Sequence, residues 1–383
     1  MELLTGQLTR EPVFRWALFT AIEAVLENAV TAAWRGAAGQ LKPRFLRWVG
    51  EDQEGQRRAA FARAAEVARA NTLRYAADPQ QAERILDTLD SERDPVQRRD
   101  RVKLYDKCVT ALVDTWEKVK GLTLEERQRD FYRYRRRLLE RLAYELHTQA
   151  EEPGQLQTVK RGDLELLLTR FLMENRRLGF ADDPDGAREE ARAFIRLARG
   201  RTGLLVERGQ GVFGFSHLTF QEYLAACDVE NRCIHRGVEA IWKEIEGRLH
   251  DPHWREVILL LLGSLNEYDE PPTLLVERIL ETGEEGKFES VLHRHLYLAA
   301  RALADRVDVA TDLHRDVVDE LLRIARTAPS WERGDALTTL AWLEGDDYAA
   351  DSLLALARDE SVAEGVRFDA YQSLKALVGG TVG

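Results

Sequence analysis

Few residues in this chain have the type and spacing to do chemistry, and one histidine stands apart. His217 sits in FSHLTFQEYLAA, Phe215 to Ala226, directly before an amphipathic run. An imidazole at a strand end can meet an anion, and it can equally hydrogen-bond a neighbouring turn. Cys227, Cys233 and His235 lie near one another, but no fourth ligand follows at zinc-type spacing, so core packing and surface are the simpler readings. FYRYRRRLLERL, Phe131 to Leu142, interleaves aromatics with Arg133, Arg135, Arg136 and Arg137. That pattern suits nucleic acid, yet an amphipathic helix with its arginines solvated or paired to Glu125, Glu126 and Glu140 fits better. Gly286-Lys287 is the one Gly-Lys pair, and Phe288 follows it where a P-loop needs Ser or Thr. No Walker B strand, local Ser-His-Asp or Cys-His motif, or Gly-rich dinucleotide turn is signalled. The expectation is a chain that is not an enzyme and holds no cofactor or metal.

Composition sets the frame for these residues. A chain of 383 residues implies two or three domains. Lys and Arg number 55 against 66 Asp and Glu, a net charge of −11, which disfavours broad contact with phosphate backbones. Three cysteines without zinc spacing suit a reducing compartment. The stretch from Val13 to Trp34 carries Arg15, Glu23 and Glu27, so neither a signal peptide nor a membrane span is expected. A soluble, cytoplasmic protein follows.

Helical periodicity runs through almost the whole chain. Leu18, Ile22, Val25 and Ala29 share one face, and Ala59 to Tyr75 forms a second amphipathic stretch. Ser91 to Arg101 is charged and broken by proline, as a linker is. Beyond it Leu104, Cys108, Leu112 and Trp116 make an apolar stripe. Asp163 is placed to cap a helix bearing Leu167, Leu168 and Phe171, and another helix is expected from about Glu189 to Arg199, ended by Gly200. Two apolar runs, Leu204 to Val206 and Val212 to Phe215, flank Gly209 and Gly211 and predict a hairpin. Thr219 and Glu222 then read as a T-x-x-E capping box for a helix with Phe220, Leu224 and Cys227 on one face. Helix, helix, hairpin, helix is the order of a winged-helix unit.

The C-terminal third repeats. Arg333, Asp335, Ala336 and Leu340 return 34 residues later as Arg367, Asp369, Ala370 and Leu374, with a second helix, Ala349 to Arg358, between them. A looser copy spans Leu296 to Leu303. Helix pairs at this period stack into a solenoid; the alanine permits close approach, and the Arg and Asp are placed to bridge adjacent turns.

FSHLTFQEYLAA resembles the winged-helix signature of NACHT-type STAND NTPases, the signalling ATPases that include animal NLR sensors. RVKLYDKCVTALVDTW (Arg101 to Trp116), TGLLVERGQGVFGF and DPHWREVILLLLGSL (Asp251 to Leu265) match, in order, the helix after the nucleotide core, the wing and the first helix beyond. The resemblance spans roughly residues 95 to 383. It implies a nucleotide-sensing role for His217, toward the β-phosphate of ADP, and a structural signature of Phe215, Thr219, Phe220, Glu222 and Tyr223. ADP or ATP with magnesium belongs to complete relatives. In the family the NTPase core lies just before Arg101, where this sequence has no Walker A motif.

The fold expected is all-α: a helical bundle, a winged-helix unit with a small β-hairpin wing, and a short HEAT-like α-solenoid. The domains are residues 1–92, the helical region 93–160 that follows the NTPase core in relatives, the winged helix 161–235 and the repeats 236–383. The function expected is a non-catalytic regulatory and interaction module in sensing or defence signalling. Its partner is a protein held by the repeats and the open winged-helix face, an NTPase-bearing chain or a second copy; no membrane is involved. One alternative is a subunit of an NTPase whose P-loop comes in trans. Another is a winged-helix DNA binder, disfavoured because Phe220 to Glu230, taken as recognition helix, carries Glu222, Asp228 and Glu230 without a basic residue.

Overall fold

The computed structural model describes residues 101–118, 126–149, 157–201, 204–284 and 292–379. The expected N-terminal bundle, nearly all of the linker, and Gly286-Lys287 lie outside these residues. Among the described residues there are thirteen α-helices and one three-stranded antiparallel sheet, so the all-α class with a small sheet holds. The described residues divide into two compact units, 101–244 with 252–264, and 245–251 with 265–379.

In the first unit the order is α1 (Arg101–Lys118), α2 (Glu126–Thr148), β1 (Thr158–Lys160), α3 (Arg161–Glu174), α4 (Pro184–Arg201), β2 (Leu205–Gly209), β3 (Val212–Phe215) and α5 (Leu218–Cys233). After α6 (Val238–Ile245) comes α7 (Arg255–Ser264). Helix α5 is the axle: α1, α2, α7 and β3 all pack on it, and every residue from Phe220 to Val229 is buried. A helix enclosed around its circumference cannot lie in a DNA groove. Phe220 to Glu230 is therefore not the recognition helix; the helix directly before the hairpin is α4. Helix α7 is buried from Glu256 to Leu262 and touches both α5 and α1. Gly263 lets it approach, since a Cβ there would come within 2.9 Å of Val102 Cγ2.

The wing is larger than the expected hairpin. Strand β3 pairs with β2 on one side and with β1 on the other, Val159 opposite Phe213. Strand β1 is three residues long with Thr158 and Lys160 exposed, so it leaves no apolar run to read. Between β2 and β3, Gly211 takes φ +72°, the left-handed turn geometry that glycine adopts at least cost, and Glu207 Oε1 accepts its N–H at 2.8 Å.

Helix starts differ from expectation in three places. Helix α3 begins at Arg161, so Asp163 sits inside the first turn rather than capping it, and Leu164, Leu168 and Leu172 are the buried stripe. Helix α4 begins at Pro184, with Asp183 Oδ1 accepting Gly186 N–H at 2.9 Å, and runs through Gly200 to Arg201. Helix α5 begins at Leu218 with extended His217 at its N-cap, which puts Thr219 inside the helix. The T-x-x-E box does not form, because it needs Thr as the last non-helical residue.

The second unit stacks α8 (Pro271–Glu284), α9 (Arg294–Ala304), α10 (Thr311–Thr327), α11 (Ser330–Ala341), α12 (Asp347–Arg358) and α13 (Glu364–Gly379). Helices α8 and α9, α9 and α10, α10 and α11, and α12 and α13 pack in sequence, and α9–α11–α13 and α10–α12 form two rows, the layering of a helical repeat. Ala299, Ala336 and Ala370 are fully buried at matching positions of α9, α11 and α13. Arg333 Nε reaches Asp369 Oδ2 at 3.2 Å, the bridge between repeats that the sequence placed there. In the other row His314 Nε2 lies 2.6 Å from Asp346 Oδ2, and Arg326 Nη1 meets Asp359 Oδ2 at 2.8 Å.

Candidate functional site

The corner where β3 turns into α5 gathers the groups best suited to an anion. Strand β3 is fixed by buried Phe213 and Phe215, and α5 is fixed by its neighbours on all sides, so the corner is rigid. His217 occupies the N-cap, half-buried, at φ −137° and ψ 144°. No side chain caps the first turn, where backbone N–H groups lack intrahelical partners and the helix dipole is positive. Ser216 Oγ and Thr219 Oγ1 are buried hydroxyls without a hydrogen-bond partner among the described residues. Arg208 Nη2 donates to the carbonyls of Phe215 at 2.7 Å and Ser216 at 3.2 Å, bringing a guanidinium to the same turn. Imidazole, hydroxyls, a cation and a helix N-terminus are the donor set for one phosphate group.

A line of rings leads inward from this corner. His217 meets Phe220 edge-on at 6.2 Å, Phe220 meets Tyr105 at 6.4 Å, and Tyr105 lies 5.7 Å from Tyr223. Tyr223 O–H donates to Asp106 Oδ1 at 3.0 Å and accepts from Arg136 Nη2 at 3.0 Å. Arg136 also pairs with Asp106 at 2.7 Å and with Glu140 at 2.9 Å, and Glu140 accepts from Asn231 Nδ2 at 3.0 Å. Thus α1, α2 and α5 are tied by one polar network under the corner. Burial disfavours charge on Arg136, but Tyr223, Cys227, Glu140 and Asp106 outweigh it and hold the guanidinium charged. Burial pushes the Cys227 thiol up to about 12, and Glu140 adds to this. Burial likewise raises Asp228, against the pull of Arg232.

The same unit is closed at the other end of α2 by a reciprocal histidine pair. His147 and His253 stack at 3.7 Å, His147 Nε2 lying 3.1 Å from His253 O and His253 Nε2 lying 3.0 Å from His147 O. A carbonyl only accepts, so both rings carry their proton on Nε2.

Of the six residues singled out in sequence, His217 and Thr219 lie at the corner; Phe215, Phe220, Glu222 and Tyr223 are buried beneath it. Arg136, read as solvated or paired to Glu125, Glu126 and Glu140, does pair with Glu140 along its own helix, and beyond that reading it anchors the network through Asp106 and Tyr223. Its partners Asp106 and Tyr223 are distant in sequence, so only the tertiary fold reveals it. Cys108, Cys227 and Cys233 are free and buried, and His235 is exposed. Among the described residues no three His, Cys, Asp or Glu side chains gather as a metal site, and no helix is long and apolar enough to cross a membrane.

Residues 101–229, from α1 through most of α5, match the family model described as the winged helix-turn-helix domain C-terminal to NACHT. No curated protein and no solved structure gave a match to the chain. The matched domain contains the wing, the corner and the Arg136 network, and it is a winged-helix domain rather than a catalytic one.

Proposed function

We propose that this chain, a NACHT-associated protein by its winged-helix domain, is a non-catalytic regulatory module that works by contact with other proteins. The observation that carries this is His217 at the uncapped start of α5, in a sequence without G-x-x-x-x-G-K-[ST]. P-loop amides, the lysine and magnesium supply most of a nucleotide's affinity. The donors at this corner fit one phosphate group and nothing more of a nucleotide. The corner is thus one half of a latch, and the helical repeats, HEAT-like in their layering, form the surface that binds a signalling partner in the cytoplasm. Sensing or defence is the process such a module serves. A turnover assay with Mg-ATP tests the non-catalytic assignment: no phosphate release above buffer is expected, and release that survives repurification would refute it.

The corner's donor set favours a second reading, in which the P-loop core is supplied by another chain. A NACHT NTPase core loaded with fluorescent ADP should then release it more slowly when this chain is added. His217→Ala should remove the effect. Equal release with and without the chain rejects the reading.

A further inference from the structure

We propose that the outer face of α13 is a self-complementary seam through which two copies of this chain pair antiparallel. Glu364, Phe368, Tyr371 and Lys375 stand at i, i+4, i+7 and i+11, the spacing of a coiled-coil stripe. All four are exposed, Phe368 by 61% and Tyr371 by 49%, large values for aromatic side chains. The opposite side of the helix is the buried one, through Val366, Ala370 and Leu377. Asp369, which receives Arg333 of α11, lies on another face again. The stripe therefore takes no part in holding the repeat together, and its residues make no ion pair or ring contact among the described residues.

The order of the four residues selects the occupant. A twofold axis passing between Asp369 and Ala370 sets Glu364 against Lys375 of the second copy, and Phe368 against Tyr371. Each pair occurs twice. Opposite charges flank a centre of stacked aromatics, and the layers alternate as antiparallel coiled coils require. A parallel pairing would instead set Glu364 against Glu364 and Lys375 against Lys375, which repel. A further repeat is a poorer occupant. With α13 packed on α11, the matching positions Ser330 and Gly334 of α11 stay exposed, and a Cβ at Gly334 would meet nothing within 4 Å, so a following repeat would leave Glu364 and Phe368 uncovered. Two helices of sixteen residues bury less than a large permanent interface, so the dimer is weak and concentration-dependent.

Sedimentation of the full chain across a wide concentration range tests the seam, with the two single charge reversals as probes. Both sites are exposed, so neither Glu364→Lys nor Lys375→Glu should unfold the protein. Each converts two attractive pairs into two repulsive ones and should raise the dimer dissociation constant about tenfold or more. Mixing the two variants restores both attractive pairs, so the mixture should dimerise as tightly as the wild type. A chain that stays monomeric at every concentration overturns the proposal. So does self-association that neither reversal weakens, or that the mixture fails to restore.

Discussion

Arg136 is disguised by its neighbours in FYRYRRRLLERL, yet its environment is unlike theirs. Glu140 beside it is only 2% exposed and accepts from Arg136, Arg137 and Asn231. Replacing Arg136 by Met leaves that carboxylate and the Tyr223 hydroxyl short of a donor, and should cost about 3 kcal/mol in urea unfolding. Tyr223→Phe removes one hydroxyl from the same network and should cost about 1 kcal/mol. If the two losses add without interaction in the double variant, the network is not a unit. Cys227 offers a second check. Its folded thiol is raised from 9.0 to about 12, so the unfolded chain ionises first as pH rises. The stabilisation is complete below pH 9 and is lost between there and about 12. The denaturation midpoint should fall through that window, less steeply in Cys227→Ala. The native thiol should also resist a thiol reagent at pH 8 that labels the unfolded chain at once.

At the scale of elements, α5 decides the first unit. Phe220 is fully buried between the corner and Tyr105, and Phe220→Ala should cost about 3–5 kcal/mol through lost burial and a cavity. Thermal stability equal to wild type would deny α5 its central place. By contrast, Arg333→Ala removes a half-exposed bridge between α11 and α13 and should cost less than about 1 kcal/mol. Both elements were legible in sequence because their signals are local: helical periodicity for α5, and for the repeat an Arg-x-Asp-Ala pattern whose alanines prove fully buried. The wing was legible through Gly209 and Gly211. Strand β1 was not, since three residues with alternate exposure carry no pattern. The start of α5 was misread by two residues because Thr and Glu at the right spacing outweighed His217, a weaker capping type, although extended His217 takes the cap. His217 itself could be found by resemblance, whereas its setting of Ser216, Thr219 and Arg208 needed the fold.

At the scale of the molecule, the question is what the chain does without a P-loop in its own sequence. Duplex DNA is a poor answer. On α4, in the recognition position, Arg192 pairs with Glu165 at 2.8 Å, and Arg188 lies 3.9 Å from the same carboxylate. Glu189 and Asp185 on the same helix add repulsion. No specific band shift is expected at physiological salt, and sub-micromolar binding would contradict this. Nucleotide is the sharper test. Arg208 is already engaged by the carbonyls of Phe215 and Ser216, so the corner offers a solvated diphosphate chiefly one charge-assisted hydrogen bond, worth roughly 1.5–3 kcal/mol before ordering costs, which allows millimolar binding at best. Calorimetry of the chain with Mg-ADP, wild type beside His217→Ala, therefore addresses the account directly. No measurable heat of binding from either protein is predicted. Micromolar binding by the wild type that vanishes in His217→Ala would show a complete phosphate site within this chain, and would contradict its assignment as a regulatory module without a nucleotide site of its own.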